Sequence, residues 1–418
     1  MTKLEELINE LCPNGVEYRV LNTICDVYDG THQTPQYTDS GVKFASVENI
    51  SDPYATEKYI SVSDYEKYKI KPQRNDLLMT RIGSIGVCTV IESDEPLAYY
   101  VSLALLRPNN DVLNSRYLKY AIESLHCRKE LRKRTLVNAV PIKINMGDIG
   151  KITLPVPPLQ VQSEIVRILD NFAELTAELT AELTARKKQY EYYRDLLLSF
   201  DDSCSQSVNV ERERERERER ESRRRSEAVR WLTLGEVGKV SMCKRIMKSE
   251  TTPSGDVPFY KIGTFGGTAN AYISKETFER YKALYSYPKK GDVLISAAGT
   301  IGRTVIFDGK PAYFQDSNIV WIDNDESVVL NKYLFYYYQL QPWHISTGGT
   351  IARLYNDNIC NAKIAVPTIS EQRRIIDILD RFDTLCSDIT SGLPAEIEAR
   401  QKQYEYYRDR LLTFKEIA

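Results

Sequence analysis

Histidine, methionine and tryptophan are scarce in this 418-residue chain, which contains three, five and three of them. The eight cysteines are scattered, and none forms a Cys-x-x-Cys pair. Because zinc frameworks are built from closely spaced cysteines and histidines, this scarcity argues against a zinc site. Scattered thiols without a pairing pattern are typical of a reducing compartment, so we expect a cytoplasmic location.

Long apolar runs and an excess of one charge are also missing. No apolar stretch approaches the roughly 20 residues that a membrane-spanning helix needs, so we expect no membrane partner. Acidic and basic residues nearly balance, at 58 and 56, for a net charge of −2. A nucleic-acid-binding role would therefore require cations that are clustered locally.

Motifs for catalysis are absent as well. The sequence has no Gly-x4-Gly-Lys-Ser/Thr phosphate loop. Pro157-Pro158 follows a valine, where an adenine-methyltransferase motif would have Asn or Asp. His32, His126 and His344 lie far apart in sequence with no evident Ser or Cys partner, so ordinary structural or surface positions suit them better than catalysis. We therefore expect neither a catalytic residue nor a metal site.

One stretch of the sequence occurs twice. Residues 185–200 read ARKKQYEYYRDLLLSF, and residues 399–414 read ARQKQYEYYRDRLLTF. In each copy, two tyrosines, a leucine and a phenylalanine recur at steps of three, four and three, which is the a/d spacing of a coiled coil. We predict that both copies lie in helices, that these two helices pack against each other, and that the chain arose by tandem duplication.

The same three- and four-residue spacing extends upstream of both copies. The predicted coiled-coil core comprises Ile165, Phe172, Tyr190, Tyr193, Leu197, Phe200, Ile375, Phe382, Tyr404, Tyr407, Leu411 and Phe414. In the first helix a Leu-Thr-Ala repeat starts at Leu175, Leu179 and Leu183. Four-residue steps advance about 40° beyond a full turn, so this repeat is expected to unwind the coiled coil locally.

Strand-like runs, glycine turns and proline-containing exits precede both helices, which divides the chain into five segments. The predicted segments are a first head at 1–157, a first long helix at 158–200, a Glu-Arg linker at 201–228, a second head at 229–367, and a second helix at 368–418 that is interrupted near Gly392–Pro394. Such a chain closes if its helices run in opposite directions. We predict an α+β fold in which two tandem mixed α/β heads are joined by an antiparallel coiled coil, with pseudo-two-fold symmetry.

The linker has an unusual composition. Residues 211–221 alternate strictly between Glu and Arg and run into Arg223–Arg225. In a helix this places opposite charges at i,i+3 and like charges at i,i+4, so the pairings largely cancel. We interpret the segment as a solvated linker, and the alternative is a basic arm that contacts nucleic acid.

Three duplicated motifs carry a resemblance to a known family. They are the QYEYYRDxLLxF element, the Val-Pro-x4-Gln exits that end at Gln162 and Gln372, and the Asp-x-Leu strands followed by Gly-Ser/Thr-Ile-Gly turns. Together they resemble the specificity subunits of type I restriction-modification enzymes over nearly the whole chain, although the Glu-Arg tract departs from that pattern. The resemblance implies two target-recognition domains that read a bipartite, asymmetric duplex DNA target.

The resemblance also implies partners. Modification (methyltransferase) subunits and restriction (translocase/endonuclease) subunits would dock on the helices of a non-catalytic chain. S-adenosylmethionine, ATP and Mg would then be cofactors of those partner subunits, and this chain would hold none.

Sequence readout requires polar and cationic side chains on loops that can reach the bases and phosphates of DNA. In the first head we predict Thr31, His32, Gln33, Arg81 and Ser84 as DNA-reading residues, with Arg132 and Arg134 on phosphates. In the second head we predict Lys244, Arg245, Lys261, Arg303 and Arg353. The alternative for each is a solvated surface residue or a polar residue of a hairpin turn.

The glycine turns at 83–86 and 299–302 have a second interpretation, which is a GxxG clamp for single-stranded nucleic acid. A hairpin turn fits them better, because no helix–turn–helix context surrounds either one. The chain as a whole also has a second interpretation, as a coiled-coil scaffold whose heads bind protein or another ligand. Salt-sensitive, sequence-specific binding to duplex DNA would separate that scaffold from a specificity subunit.

Overall fold

A computed structural model describes residues 2–33, 35–200, 229–345, 353–387 and 392–417. The predicted Glu-Arg linker at 201–228 lies outside the described residues. The chain divides into two units: unit 1 comprises Met1–Ala181 with Ala395–Ala418, and unit 2 comprises Glu182–Pro394. This division follows packing, whereas the five predicted segments follow sequence motifs and stay a prediction. Within the described ranges, no helix is both long and apolar enough to cross a membrane.

Unit 1 contains ten strands and the helices that cover them. Its strands are β1 (Tyr18–Val20), β2 (Cys25–Asp29), β3 (Tyr37–Thr38), β4 (Val42–Ala45), β5 (Tyr59–Ile60), β6 (Leu77–Thr80), β7 (Cys88–Val90), β8 (Leu97–Tyr99), β9 (Leu103–Pro108) and β10 (Thr153–Pro155). Its helices are α1 (Lys3–Leu11), α2 (Val62–Glu66), α3 (Ser115–Glu123), α4 (Leu125–Arg134), α5 (Met146–Ile149) and the first part of α6 (Leu159–Leu198).

The strands of unit 1 form three sheets. An antiparallel sheet has the order β2-β9-β6-β7, a second sheet has the order β3-β5-β4-β8 with β4 and β8 parallel, and β1 pairs with β10. Every residue of β6 is buried, because a hydrophobic core lies on each side of the first sheet. The larger core also receives α3, α4 and the start of α6.

Unit 2 repeats this order. Its strands are β11 (Arg230–Thr233), β12 (Lys239–Met242), β13 (Val257–Tyr260), β14 (Tyr272–Ile273), β15 (Val293–Ser296), β16 (Thr304–Ile306), β17 (Tyr313–Phe314), β18 (Ile319–Asp323) and β19 (Lys363–Val366). Its helices are α7 (Leu234–Val237), α8 (Lys275–Leu284), α9 (Asn331–Tyr338), α10 (Asn356–Cys360) and α11 (Ile369–Ser387). The remaining helix, α12 (Leu393–Leu411), belongs mainly to unit 1.

Every strand of unit 1 except β3 has a counterpart among the described strands of unit 2. Their orders are β12-β18-β15-β16, β14-β13-β17 and β11-β19. β17 is the counterpart of β8, and it pairs in parallel with β13 as β8 does with β4. The duplication that the two helices indicate in the sequence therefore extends through both heads.

The glycine turns are hairpin turns, as predicted. β6 pairs antiparallel with β7, and β15 with β16. Both glycines of each turn have left-handed backbone angles, with φ of 79° and 84° at Gly83 and Gly86 and of 66° and 81° at Gly299 and Gly302. Only glycine adopts this conformation without steric cost, which explains the repeated Gly-x-x-Gly spacing.

Residues 115–134 form two consecutive helices, α3 and α4, that meet at Ser124. Ser124 adopts an extended conformation between them, and its Oγ accepts a hydrogen bond from the Cys127 backbone N–H. A serine that caps a new helix satisfies an otherwise unpaired donor. The apolar spacing alone did not reveal this boundary.

The long helices run antiparallel within each unit. In unit 1 the Phe172 ring on α6 stacks on Tyr407 of α12 at a centroid distance of 5.4 Å, and the start of α6 shares a core with Leu411 and Leu412. In unit 2 Tyr193 on α6 stacks on Phe382 of α11 at 5.7 Å. In each stack, a tyrosine of the duplicated motif on one predicted long helix contacts a phenylalanine that precedes the motif on the other.

The other residues of the predicted coiled-coil core lie in the main hydrophobic cores of the two units. In unit 1 these are Ile165, which is fully buried, and Tyr404, Leu411 and Phe414, which pack against its core. In unit 2 these are Ile375, which is buried, and Tyr190, Leu197 and Phe200, which pack against its core.

Candidate nucleic-acid interface

Each unit has a cleft beside the end of the first strand of its antiparallel sheet. The cleft of unit 1 has a volume of about 530 Å³ and includes Asp29, Thr31, Gln33 and Tyr68 in its lining. The cleft of unit 2 has a volume of about 260 Å³ and includes Arg245, Lys248, Lys261 and Arg353. We call these the first and second clefts.

Asp29 organises the first cleft. Its Oδ2 is 2.9 Å from Nε2 of His32 and accepts a hydrogen bond of 3.2 Å from Nη2 of Arg81. The Arg81 guanidinium also donates to the Ile144 carbonyl, and the residue is 7% exposed. Thr31 and Gln33 hydrogen-bond each other through backbone and hydroxyl atoms. Two of the predicted residues, His32 and Arg81, thus contact an aspartate that was not predicted, and Thr31 and Gln33 follow it closely in the chain.

This arrangement separates the predicted residues by accessibility. His32 is largely exposed, with 71% of its side chain accessible. Arg81 is enclosed by protein acceptors, which favours a role in holding Asp29 and the cleft wall over direct contact with a base. Ser84 is exposed on the turn between β6 and β7. Their contacts with DNA stay predictions.

Arg132 and Arg134 occupy the last turn of α4. Arg134 donates to Oε2 of Glu130 at 2.7 Å and is partly buried, whereas Arg132 is exposed. The hydrogen bond from Lys133, together with Arg134, holds the pKa of Glu130 below its usual value. Glu130 therefore stays ionised and partly neutralises Arg134, which leaves Arg132 as the more available phosphate contact.

The second cleft is basic. Arg245, Lys261 and Arg353, all predicted from the sequence, lie in its lining together with Lys248, which was not predicted. Nε of Arg245 donates to Oδ2 of Asp316 at 2.8 Å. Here too an unpredicted aspartate holds a cleft cation in place.

Arg353 is held by a further set of contacts. Its guanidinium donates to Oδ1 of Asn318 at 3.0 Å, and its backbone forms a bridge with Ala298 in the neighbouring glycine turn. The position that corresponds to Arg353 in unit 1 is Lys143, which bridges to Ile82 in the same way. Lys143 is exposed and was also missed.

The two remaining predicted residues lie apart from the second cleft. Nζ of Lys244 is 5.1 Å from the centroid of the Tyr285 ring. Nη1 of Arg303, after the second glycine turn, donates to the Phe265 carbonyl at 2.8 Å. Neither is among the residues that line the cleft.

Asp29 and Asp316 could not be predicted as cleft residues from the sequence, because their arginine partners are distant along the chain. Asp29 and Arg81 are 52 positions apart, and Arg245 and Asp316 are 71 positions apart. A local signal did exist for Asp29, which ends a strand directly before the polar loop at 30–33. No group of three or more His, Cys, Asp or Glu side chains suited to a metal ion was found in the described part of the chain.

Comparison with known proteins identifies the family of this chain. The family model of the type I restriction modification DNA specificity domain matches residues 13–186 and again 228–399. The chain belongs to this family. The first match ends within α6, and the second ends within α12.

Individual relatives are consistent with that membership. A putative type I restriction enzyme specificity subunit of Haemophilus influenzae is 51% identical over 310 residues, which cover 72% of this chain and 73% of the relative. The EcoR124I/EcoR124II specificity subunit of Escherichia coli is 37% identical over 288 residues, which cover 63% of each chain.

Two solved structures share the fold at low sequence identity. A chain from a structural study of complex assembly and conformational transition of the type I R-M system has a TM-score of 0.58 at 15% identity, and the match covers 96% of this chain and 98% of that chain. The type I restriction-modification S subunit of M. genitalium has a TM-score of 0.52 at 14% identity, with 95% and 96% covered.

Proposed function

We propose that this chain is the DNA sequence-specificity subunit of a type I restriction-modification complex and that it reads a bipartite, asymmetric duplex target. The observation that carries the proposal is the double match to the specificity-domain family on two heads of the same topology. A duplicated reader in one chain suits a target with two half-sites.

The two clefts carry different chemistry on equivalent scaffolds, which favours two different half-sites. The second cleft presents guanidinium and ammonium groups, and guanidinium groups recognise guanine O6 and N7 in the major groove. The first cleft presents Thr31 and Gln33, and the aspartate-bound His32 lies between them in the chain, a set that can donate to and accept from base edges. An asymmetric target follows from this difference.

The partner surface lies on the helices in this proposal. Tyr192 and Tyr406 are equivalent residues of the duplicated motif, and they are 64% and 58% exposed. Large exposed aromatic side chains are enriched at protein interfaces. Modification and restriction subunits would dock here and bring S-adenosylmethionine, ATP and Mg, while this chain contributes no catalytic group. Because its DNA substrate and partners lie in the cytoplasm, we place the chain there as well.

The competing proposal is a scaffold whose heads bind protein, and one experiment separates the two. The full chain is co-expressed with its modification subunit, the complex is purified, and its binding to duplex DNA is measured over a range of salt concentrations. The specificity-subunit proposal predicts co-purification and tight binding to selected sequences that weakens steeply with salt. A complex that binds all duplexes equally, or a chain that recruits no methyltransferase subunit, would refute it.

A further inference from the structure

An apolar loop projects from unit 1 directly after α4. Residues 136–142 read LVNAVPI, and we call them the 136–142 loop. Val140 is fully exposed, Val137 is 62% exposed, and Leu136 and Ile142 are 43% and 39% exposed. Neighbouring apolar side chains left in water generally mark a surface that another molecule covers.

The base of the loop is fixed by backbone hydrogen bonds. The Leu136 N–H donates to the Lys143 carbonyl at 2.8 Å, and the Gly83 N–H donates to the Ile142 carbonyl at 2.9 Å. One bond closes the loop on itself, and the other ties it to the turn between β6 and β7. The 136–142 loop is therefore held next to the turn that carries Ser84.

The surroundings of the loop are strongly basic. Between positions 128 and 143 the sequence has six lysines and arginines and a single acidic residue, Glu130, although the whole chain has a net charge of −2. Arg132 is exposed, and the Lys133 side chain is 72% exposed. A molecule that covers the loop therefore meets cations next to an apolar contact, which favours a partner that carries negative charge.

Duplex DNA has this combination. Phosphates border each groove, and the groove floor presents apolar groups such as the thymine methyl. Leucine, isoleucine and proline are also among the residues that proteins insert against base steps. Acidic protein partners offer charge as well, but the continuity of the loop with the turn that carries Ser84 favours the nucleic acid.

We propose that the 136–142 loop enters a groove of the first half-site, where Val137 and Val140 contact the bases while Arg132 and Lys133 contact the adjoining phosphates. This inference rests on the proposed DNA-reading function of unit 1. The loop adds an apolar component of readout, which discriminates between base sequences but releases no counterions. The polar residues of the first cleft cannot supply such a component.

The test compares the purified complex of chain and modification subunits with one that carries Val137→Thr and Val140→Thr together. Threonine keeps the shape of valine and replaces one methyl group by a hydroxyl, so folding of these exposed positions is preserved. The matched control is Val20→Thr, which alters a 37% exposed valine on β1. Dissociation constants are measured at several salt concentrations on a duplex with the mapped target and on one with the first half-site scrambled.

The expected result is a loss of about tenfold in affinity for the mapped target, because the two substitutions together remove two methyl groups from the contact with the bases. Affinity for the scrambled duplex, the salt dependence and the control variant should not change. An unchanged affinity for the target would overturn the inference. Loss of the modification subunits from the variant complex would overturn it too, since the loop would then be a protein contact. If the wild-type complex itself ignores the first half-site, the proposed function fails and the inference fails with it.

Discussion

Gln162 and Gln372 have no exposed surface, and each stands near the start of a long helix. Gln162 donates to the Val112 and Pro157 carbonyls and accepts from the Asn114 N–H. Gln372 makes the same three bonds in unit 2, to the carbonyls of residues 328 and 367 and from the N–H of residue 330. The Val-Pro-x4-Gln motif is thus a structural joint that ties each head to its helix.

Replacing this joint should be costly. We predict that Gln162→Leu lowers the free energy of unfolding by about 3 kcal/mol. The substitution leaves three buried or partly buried backbone groups without a hydrogen-bond partner. The matched control is Gln160→Leu, an exposed glutamine on the same helix, which should change stability by less than about 0.5 kcal/mol. Urea unfolding of the three proteins measures both effects, and equal stability of the two variants would contradict the assignment.

Glu123 is a residue of unit 1 whose counterpart in unit 2 is of a different type. Its Oε1 accepts from the Cys88 N–H at 3.1 Å, and the corresponding residue of unit 2 is Gln339, which accepts from the Tyr190 hydroxyl. Burial raises the pKa of Glu123 above its ordinary value, and Lys119, Arg128 and the Cys88 hydrogen bond offset only part of that rise. The ionised carboxylate is therefore disfavoured in the folded state.

A pH dependence follows from this pKa. Because the folded state holds its proton to higher pH than the unfolded state, Glu123 costs stability as pH rises above the unfolded value of about 4.5. We predict that Glu123→Gln, which copies the natural residue of unit 2, stabilises the chain at pH 7 and has little effect near pH 4. Denaturation midpoints at the two pH values measure this. A variant that is less stable at pH 7 would show that the cations outweigh burial.

At the scale of elements, the proposed spacer between the heads is α6, whose 40 residues extend for about 60 Å. One four-residue unit of its Leu-Thr-Ala repeat contributes about 6 Å, against roughly 3.4 Å for a base pair. We predict that deleting residues 176–179 changes the gap between the half-sites by one or two base pairs and leaves both half-site sequences intact. Mapping methylated adenines in cells that express the variant measures the gap. Altered half-site sequences with an unchanged gap would contradict the prediction.

The elements that the sequence predicted well have signals of local origin. The helices follow from heptad spacing in the QYEYYRD motif, and the hairpins follow from the paired glycines of 83–86 and 299–302. The break at Ser124 has no such local signal, because a serine cap inside an apolar pattern looks like any helical serine. Asp29 and Asp316 were missed because their partners are distant in sequence, so only folding brings them together.

Across the whole molecule, the two heads and the two helix motifs differ in how closely they repeat. Both heads have the same sheet order but line their clefts with different side chains, while the helix motifs are nearly identical. Common helices suit common partner subunits, and unlike clefts suit unlike half-sites. The sequence reveals this contrast directly, but the target bases depend on side-chain positions in a complex with DNA.

The central claim is that each head reads one half of a split target, and exchanging one head tests it most directly. Residues 230–365 are replaced by the corresponding head of another family member, and methylated adenines are mapped in cells that express either chain with the modification subunits. We predict that the natural chain yields a two-part asymmetric motif, and that the chimera changes one half-site while retaining the other half-site and the gap. Changes in both half-sites, or a single uninterrupted motif, would contradict the account.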